Sequence, residues 1–67
     1  MPSEIRFAEL LKLVEKHGWV LDRVRGSHHI LRKPDGTGYP VPVHHGKVKP
    51  AYVRQIKKIL EGDRPAL

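Results

Sequence analysis

Apolar residues recur at helical spacing near both ends of this chain and give way to strand-like runs between them. Phe7, Leu10, Leu11 and Val14 fall on one stripe, with Ile5 and Leu13 at its margins, and Val53, Ile56, Ile59 and Leu60 form a second. The first stripe predicts a helix over about 4–17. The Ser3 hydroxyl can accept a bond from a free N–H of its first turn. Glu4 sits near the positive end of the helix dipole, and Gly18 tolerates the left-handed conformation that ends many helices. Pro50 suits the first turn of the second helix, where its missing N–H costs nothing. Gly62 can end that helix, and residues 63–67 are expected to be a frayed tail.

Between the stripes, three segments read as strands. Trp19 to Arg25 is rich in β-branched and aromatic residues, Gly26-Ser27 breaks it, and His28 to Lys33 resumes. Pro34-Asp35-Gly36-Thr37-Gly38 is a turn: Pro fixes φ, Asp can bond its own backbone, and Gly accepts positive φ. Tyr39 to His44 is the third strand, and His45-Gly46-Lys47 a loop. Pro40 and Pro42 stand two apart, so their missing donors lie on one side, and that strand must border its sheet. Short connections make the strands antiparallel neighbours. Both helices must bury their stripes on one face of the sheet. The expected fold is α+β, in α-β-β-β-α order, as in double-stranded-RNA-binding domains, with the other sheet face open.

With 67 residues the chain makes one domain with a thin core. Its chemistry must therefore sit on an exposed surface. The absence of cysteine removes disulfides, thiolate metal sites and a Cys nucleophile. No apolar run approaches the ~20 residues that cross a bilayer, and no secretory signal opens the chain. A soluble, cytoplasmic protein is expected. The net charge of +6 is unevenly spread. Glu4, Glu9 and Glu15 balance Arg6, Lys12 and Lys16, whereas Arg23, Arg25, Arg32, Lys33, Lys47, Lys49, Arg54, Lys57 and Lys58 face Asp35 alone over residues 23–60. A field of this sign attracts polyanions, nucleic acid foremost.

Four of the five histidines stand in pairs, His28-His29 and His44-His45. A tandem pair on a strand points to opposite faces, so it rarely serves one ion. His29 and His44 could meet across strands, but no third or fourth ligand has obvious spacing. No metal or cofactor is expected. A structural reading suits His28, which shares parity with Ile30, and His17 at a helix C-terminus. The remaining reading is acid–base catalysis. RNA carries its own nucleophile, the 2′-hydroxyl, and its cleavage needs only a base, cations for the phosphate oxygens and a proton for the leaving group. Arg25, Lys33 and Lys47 are candidates to hold phosphates, and Ser27 to orient His29 or bond a phosphate oxygen. Each also reads as an ordinary surface or turn residue. Trp19 and Tyr39 could stack on bases, but a thin core claims its aromatics first.

Gly18-Trp19, then Gly26-Ser27-His28-His29, then Val41-Pro42-Val43-His44 with Gly46-Lys47, then Ile56-Lys57-Lys58-Ile59-Leu60: this succession resembles the HicA-like (YcfA-like) toxins over residues 4–61. The resemblance implies a double-stranded-RNA-binding-like fold and endoribonuclease activity on mRNA, which inhibits translation. It also implies neutralisation by a HicB-type antitoxin. Gly-Ser-x-His places the catalytic histidine at His29. His28 falls on the variable position. His44 matches the histidine after Val-Pro-x, as a proton donor or substrate contact, so both are candidates to assist. Pro50-Ala51-Tyr52 departs from the family's usual Gly and small polar residue before the last helix. The rival reading is an RNA-binding module of the same fold without catalysis, which would tolerate loss of His29.

Overall fold

The computed structural model describes residues 4–62. The expected cap at Ser3 and the tail at 63–67 lie outside them. The chain runs β1 (Ile5–Arg6), α1 (Phe7–Glu15), β2 (Val20–Arg25), β3 (His28–Arg32), β4 (Gly38–Pro42), β5 (Lys47–Val48) and α2 (Pro50–Gly62). Strands β2-β3-β4 form the antiparallel sheet read from the sequence, and β1 pairs with β5 in a separate ribbon. Leu31 and Val41 face α1 and α2 and are fully buried among Leu10, Val14, Val53, Ile56 and Leu60. The fold is therefore α+β, with two helices against one face of a three-stranded sheet.

The start of α1 differs from expectation. Ile5 and Arg6 are not helical: they pair with Val48 and Lys47. Lys47, read as part of a loop, and Val48 supply the other side. His44 and Lys47 exchange backbone bonds of 3.0 and 2.9 Å, and between them His45 and Gly46 take φ of 54° and 75°. Two successive positive φ values mark the type I′ turn of tight hairpins. The Gly46 carbonyl accepts the Phe7 N–H at 2.7 Å. An orphan donor of the first helical turn is thus met from across the chain, and the helix begins three residues later than periodicity alone suggests. No side-chain cap assists it.

The other end of α1 follows its glycine. Gly18 has φ 87°, its N–H donates to Glu15, and the Trp19 N–H donates to Val14. These are the paired bonds of a Schellman stop, here with both Val14 and Trp19 buried. In the β3–β4 turn the Thr37 N–H donates to Asp35 Oδ1 at 2.8 Å, as the sequence predicts. Hydrogen bonding with Thr37, through its side chain first and then this backbone N–H, holds the Asp35 carboxyl below its ordinary range. Lys49 accepts the first helical bonds of α2 from Tyr52 and Val53, with Pro50 in the first turn. Among the described residues no helix is long and apolar enough to cross a membrane.

Strand β4 borders its sheet, as its prolines require. The register places Pro40 opposite Ile30 and Pro42 opposite His28. Neither proline can donate, so β3–β4 bonding falls to the pairs between them. Two bonds agree: Val43 N–H to the Ser27 carbonyl at 2.7 Å, and Lys33 N–H to the Thr37 carbonyl at 2.9 Å. Odd-numbered residues of β3 therefore turn their backbone toward β4, and even-numbered ones toward β2. In β2 a register shift between Leu21 and Arg23 leaves Asp22 unpaired. This bulge keeps Leu21, opposite Leu31, and Val24, opposite His29, on the same face.

Candidate active site

His29 shares its face with Leu31 and points to the helix side, not to the open face. It is half-buried. The Phe7 ring lies 4.4 Å away, centroid to centroid, tilted by 54°. His29 Nδ1 is buried without a hydrogen-bond partner, whereas Nε2 is not among the sealed, unpartnered atoms. Nε2 is therefore the nitrogen left to meet a substrate. Val41 on β4 and Val24 on β2 flank His29 across the strands; Val41 is buried, and Val24 is 52% exposed.

Phe7 links this histidine to the His44–Lys47 turn. Its ring touches His29 and its N–H is held by Gly46. The turn therefore docks at the His29 end of the sheet, bringing exposed His44 and Lys47 with it. Lys47 pairs with Arg6 across the small ribbon, so two cations sit side by side there. Arg6 was not singled out in the sequence because Glu4 and Glu9 offset its charge. Only the β1–β5 pairing of Arg6 with Lys47, formed across the 40 residues between them, shows where it goes.

The other candidates divide. Ser27 lies in the β2–β3 turn beside His29 and holds Val43 through its carbonyl. His28 and Arg25 pair across strands on the opposite, open face at the same end; both are exposed. His28 is thus not the half-buried filler its parity suggests. Lys33 is not brought to this group. It follows the far end of β3, roughly 13 Å of strand from His29 at the usual rise per residue. There its Nζ stands 5.9 Å from the centroid of the buried Trp19 ring. Trp19 and half-buried Tyr39 serve the core and its rim. His17 Nδ1 lies 3.2 Å from the Leu13 carbonyl at the end of α1.

Among the described residues no three His, Asp or Glu side chains gather as a metal-binding group. Three surface grooves of about 190, 320 and 220 Å³ lie elsewhere, and none is lined by His29. The chemistry available at His29 is that of an imidazole on a shallow basic surface, suited to a polymer laid across it.

A family model described as HicA toxin of bacterial toxin-antitoxin matches residues 7–61. That span runs from the first residue of α1 nearly to the end of α2 and includes Ser27, His28, His29, His44 and Lys47. No curated protein and no solved structure matches the chain.

Proposed function

The chain belongs to the HicA toxin family and is a toxin of a toxin–antitoxin system, and from that premise we propose that it is a metal-independent endoribonuclease acting on mRNA in the cytoplasm. The observation that carries this reading is His29: a half-buried imidazole, walled by Phe7, with Nδ1 shut in and Nε2 left toward the substrate side. A substrate ribose placed there has its 2′-hydroxyl proton taken by Nε2. The freed oxygen attacks the adjacent phosphorus, the P–O2′ bond forms, and the P–O5′ bond breaks in line. The departing 5′-oxygen takes a proton from an acid, for which His44 is the first candidate and His28 the second. Lys47 steadies the phosphate oxygens, with the Ser27 hydroxyl as a further contact, and Arg25, on the open face at the same end, holds the adjoining strand of RNA. Lys33 holds RNA away from the broken bond. A HicB-type antitoxin neutralises the toxin by covering this surface.

The end groups of the fragments test this reading. Attack by the 2′-oxygen leaves a 2′,3′-cyclic phosphate and a 5′-hydroxyl. Fragments bearing 5′-phosphates would mean attack by water on a different path and would overturn it.

One observation favours a non-catalytic RNA binder instead. Catalytic bases are usually oriented by a third group, and His29 Nδ1 has no such partner. On that reading His29→Ala leaves RNA binding and biological effect unchanged.

A further inference from the structure

The two borders of the sheet are unlike. The β4 border lacks two donors, at Pro40 and Pro42, and is closed to strand addition. The β2 border has no proline, and among the described residues nothing covers it: all six of its residues are exposed. The large hydrophobic residues exposed among the described ones, Val20 at 51%, Leu21 at 37% and Val24 at 52%, all lie on it. The ladder also fixes which backbone groups are free. Even-numbered residues of β3 bond toward β2, so Arg25, Arg23 and Val20 are spent on His28, Ile30 and Arg32. Val24 therefore turns its N–H and C=O outward, to no partner among the described residues.

We propose that this border receives an extended segment of the antitoxin, adding a fourth strand beside Val24; the proposal rests on the toxin–antitoxin reading. The partner's chemistry follows from the two faces of β2. Its apolar side chains would pack on Leu21 and Val24. Its alternate side chains would meet Arg23 and Arg25 on the open face, so they are acidic. The strand's own acid, Asp22, is already engaged by Arg32 at 2.9 Å and repels little. Strand addition takes affinity from the main chain and specificity from alternate side chains. Because Val24 stands directly across from His29, the added strand narrows the approach to that imidazole. Inhibition then needs no contact with His29 itself. Valines at the border suit a protein occupant better than RNA, whose phosphates seek cations.

The probe is a blocked peptide of alternating valine and glutamate, titrated into the ¹⁵N-labelled chain beside a valine–lysine counterpart. The expected result is that the acidic peptide shifts the Val24 amide and slows its exchange at least tenfold. Arg23 and Arg25 amides, already bonded, keep their protection. Val24→Pro removes the outward donor and, with no amide of its own to read, is scored on the neighbouring Arg23 and Arg25 amides, whose peptide-induced shifts it abolishes, while the dispersed signals of β3 and β4 report an intact sheet. Arg23→Glu reverses the preference from the acidic to the basic peptide, a readout that does not depend on the proline variant folding. No protection of Val24 at millimolar peptide, or equal binding of both peptides, overturns the proposal. So does Val24 protection that grows with protein concentration alone, which would make the occupant a second copy, or protection by RNA and not by peptide. RNA cleavage is scored separately: wild type that fails to cleave but protects Val24 sinks the nuclease reading and leaves the strand addition standing.

Discussion

The ring of Phe7 lies 4.4 Å from that of His29, and this contact joins the first residue of α1 to the residue on which the proposed chemistry depends. Phe7 fills two roles at once. Its side chain is buried in the core, and it walls one flank of the imidazole. Phe7→Leu keeps most of the buried volume and so should cost only about 1 kcal/mol of stability. It removes the flat wall, and His29 gains freedom. A misplaced catalytic group can cost on the order of a hundredfold. We expect cleavage to fall by roughly ten- to a hundredfold with RNA affinity unchanged. Side-chain ¹⁵N spectra of His29 should show a changed tautomer balance. Unaltered cleavage in the folded variant would remove Phe7 from the site.

The turn that holds Phe7 is itself open to improvement. His45 carries a φ of 54°, a conformation that asparagine and glycine adopt more easily. His45→Asn should raise stability by a few tenths to about 1 kcal/mol, measured as a higher melting temperature. Gly46→Val should act oppositely. Nothing stands within 4 Å of an added Cβ, so the cost is conformational alone, about 1–2 kcal/mol. A neutral Gly46→Val would mean that the turn is not held as described.

Arg25 and Lys33 look alike in the sequence, two cations flanking the same strand. The structure separates them by the length of β3. Each phosphate contact contributes about 0.7 to the salt slope for single-stranded RNA. Arg25→Ala should lower the slope by that amount and slow cleavage. Lys33→Ala should lower the slope by a similar amount, leave the cleavage rate on saturating RNA unchanged, and loosen the cover over Trp19. Cleavage titrated against salt for both variants decides this, and equal losses of cleavage rate would contradict the placement.

Tyr39 ties β4 to α2. Its hydroxyl donates to Gln55 Oε1 at 3.0 Å, and burial pushes its pKa up. Tyr39→Phe should cost about 0.5–1.5 kcal/mol at neutral pH, the usual net worth of such a bond. The sign at high pH follows from the raised value. The folded state holds the phenolic proton more tightly than the unfolded chain. Tyr39 therefore contributes stability that is complete below the unfolded pKa of about 10 and is lost as pH rises through the folded one. Denaturation curves should show the full gap between wild type and variant at about pH 8 and a closing gap above about pH 10. A gap that stays constant would contradict the role given to this group.

The sheet and its border were legible because the rules that set them are local. Two prolines at i and i+2 name an edge, and Gly18 and the Pro34–Gly38 segment name their stops wherever the chain goes. The ribbon of Ile5–Arg6 with Lys47–Val48 was not legible. Its partners are far apart in sequence, and Ile5 fits the margin of the helical stripe as well as it fits a strand. The bulge at Asp22 was hidden for a related reason, since only pairing with β3 shows that one residue is extra. At the site, the Gly-Ser-x-His pattern pointed to His29. Parity along β3 separates His28 from His29 but does not say which face the helices cover. In the folded chain Leu31 and Val41 are buried against the helices, which puts His29 on the covered face and His28 on the open one.

In the proposed mechanism His29 cuts RNA without a metal. The most direct measurement is cleavage of a labelled single-stranded mRNA fragment by the purified chain in excess EDTA, beside His29→Ala, with RNA binding measured for both. Wild type should cleave, His29→Ala should not, and both should bind RNA with equal, salt-sensitive affinity. Binding by both with cleavage by neither, or cleavage that survives in His29→Ala, would contradict this mechanism.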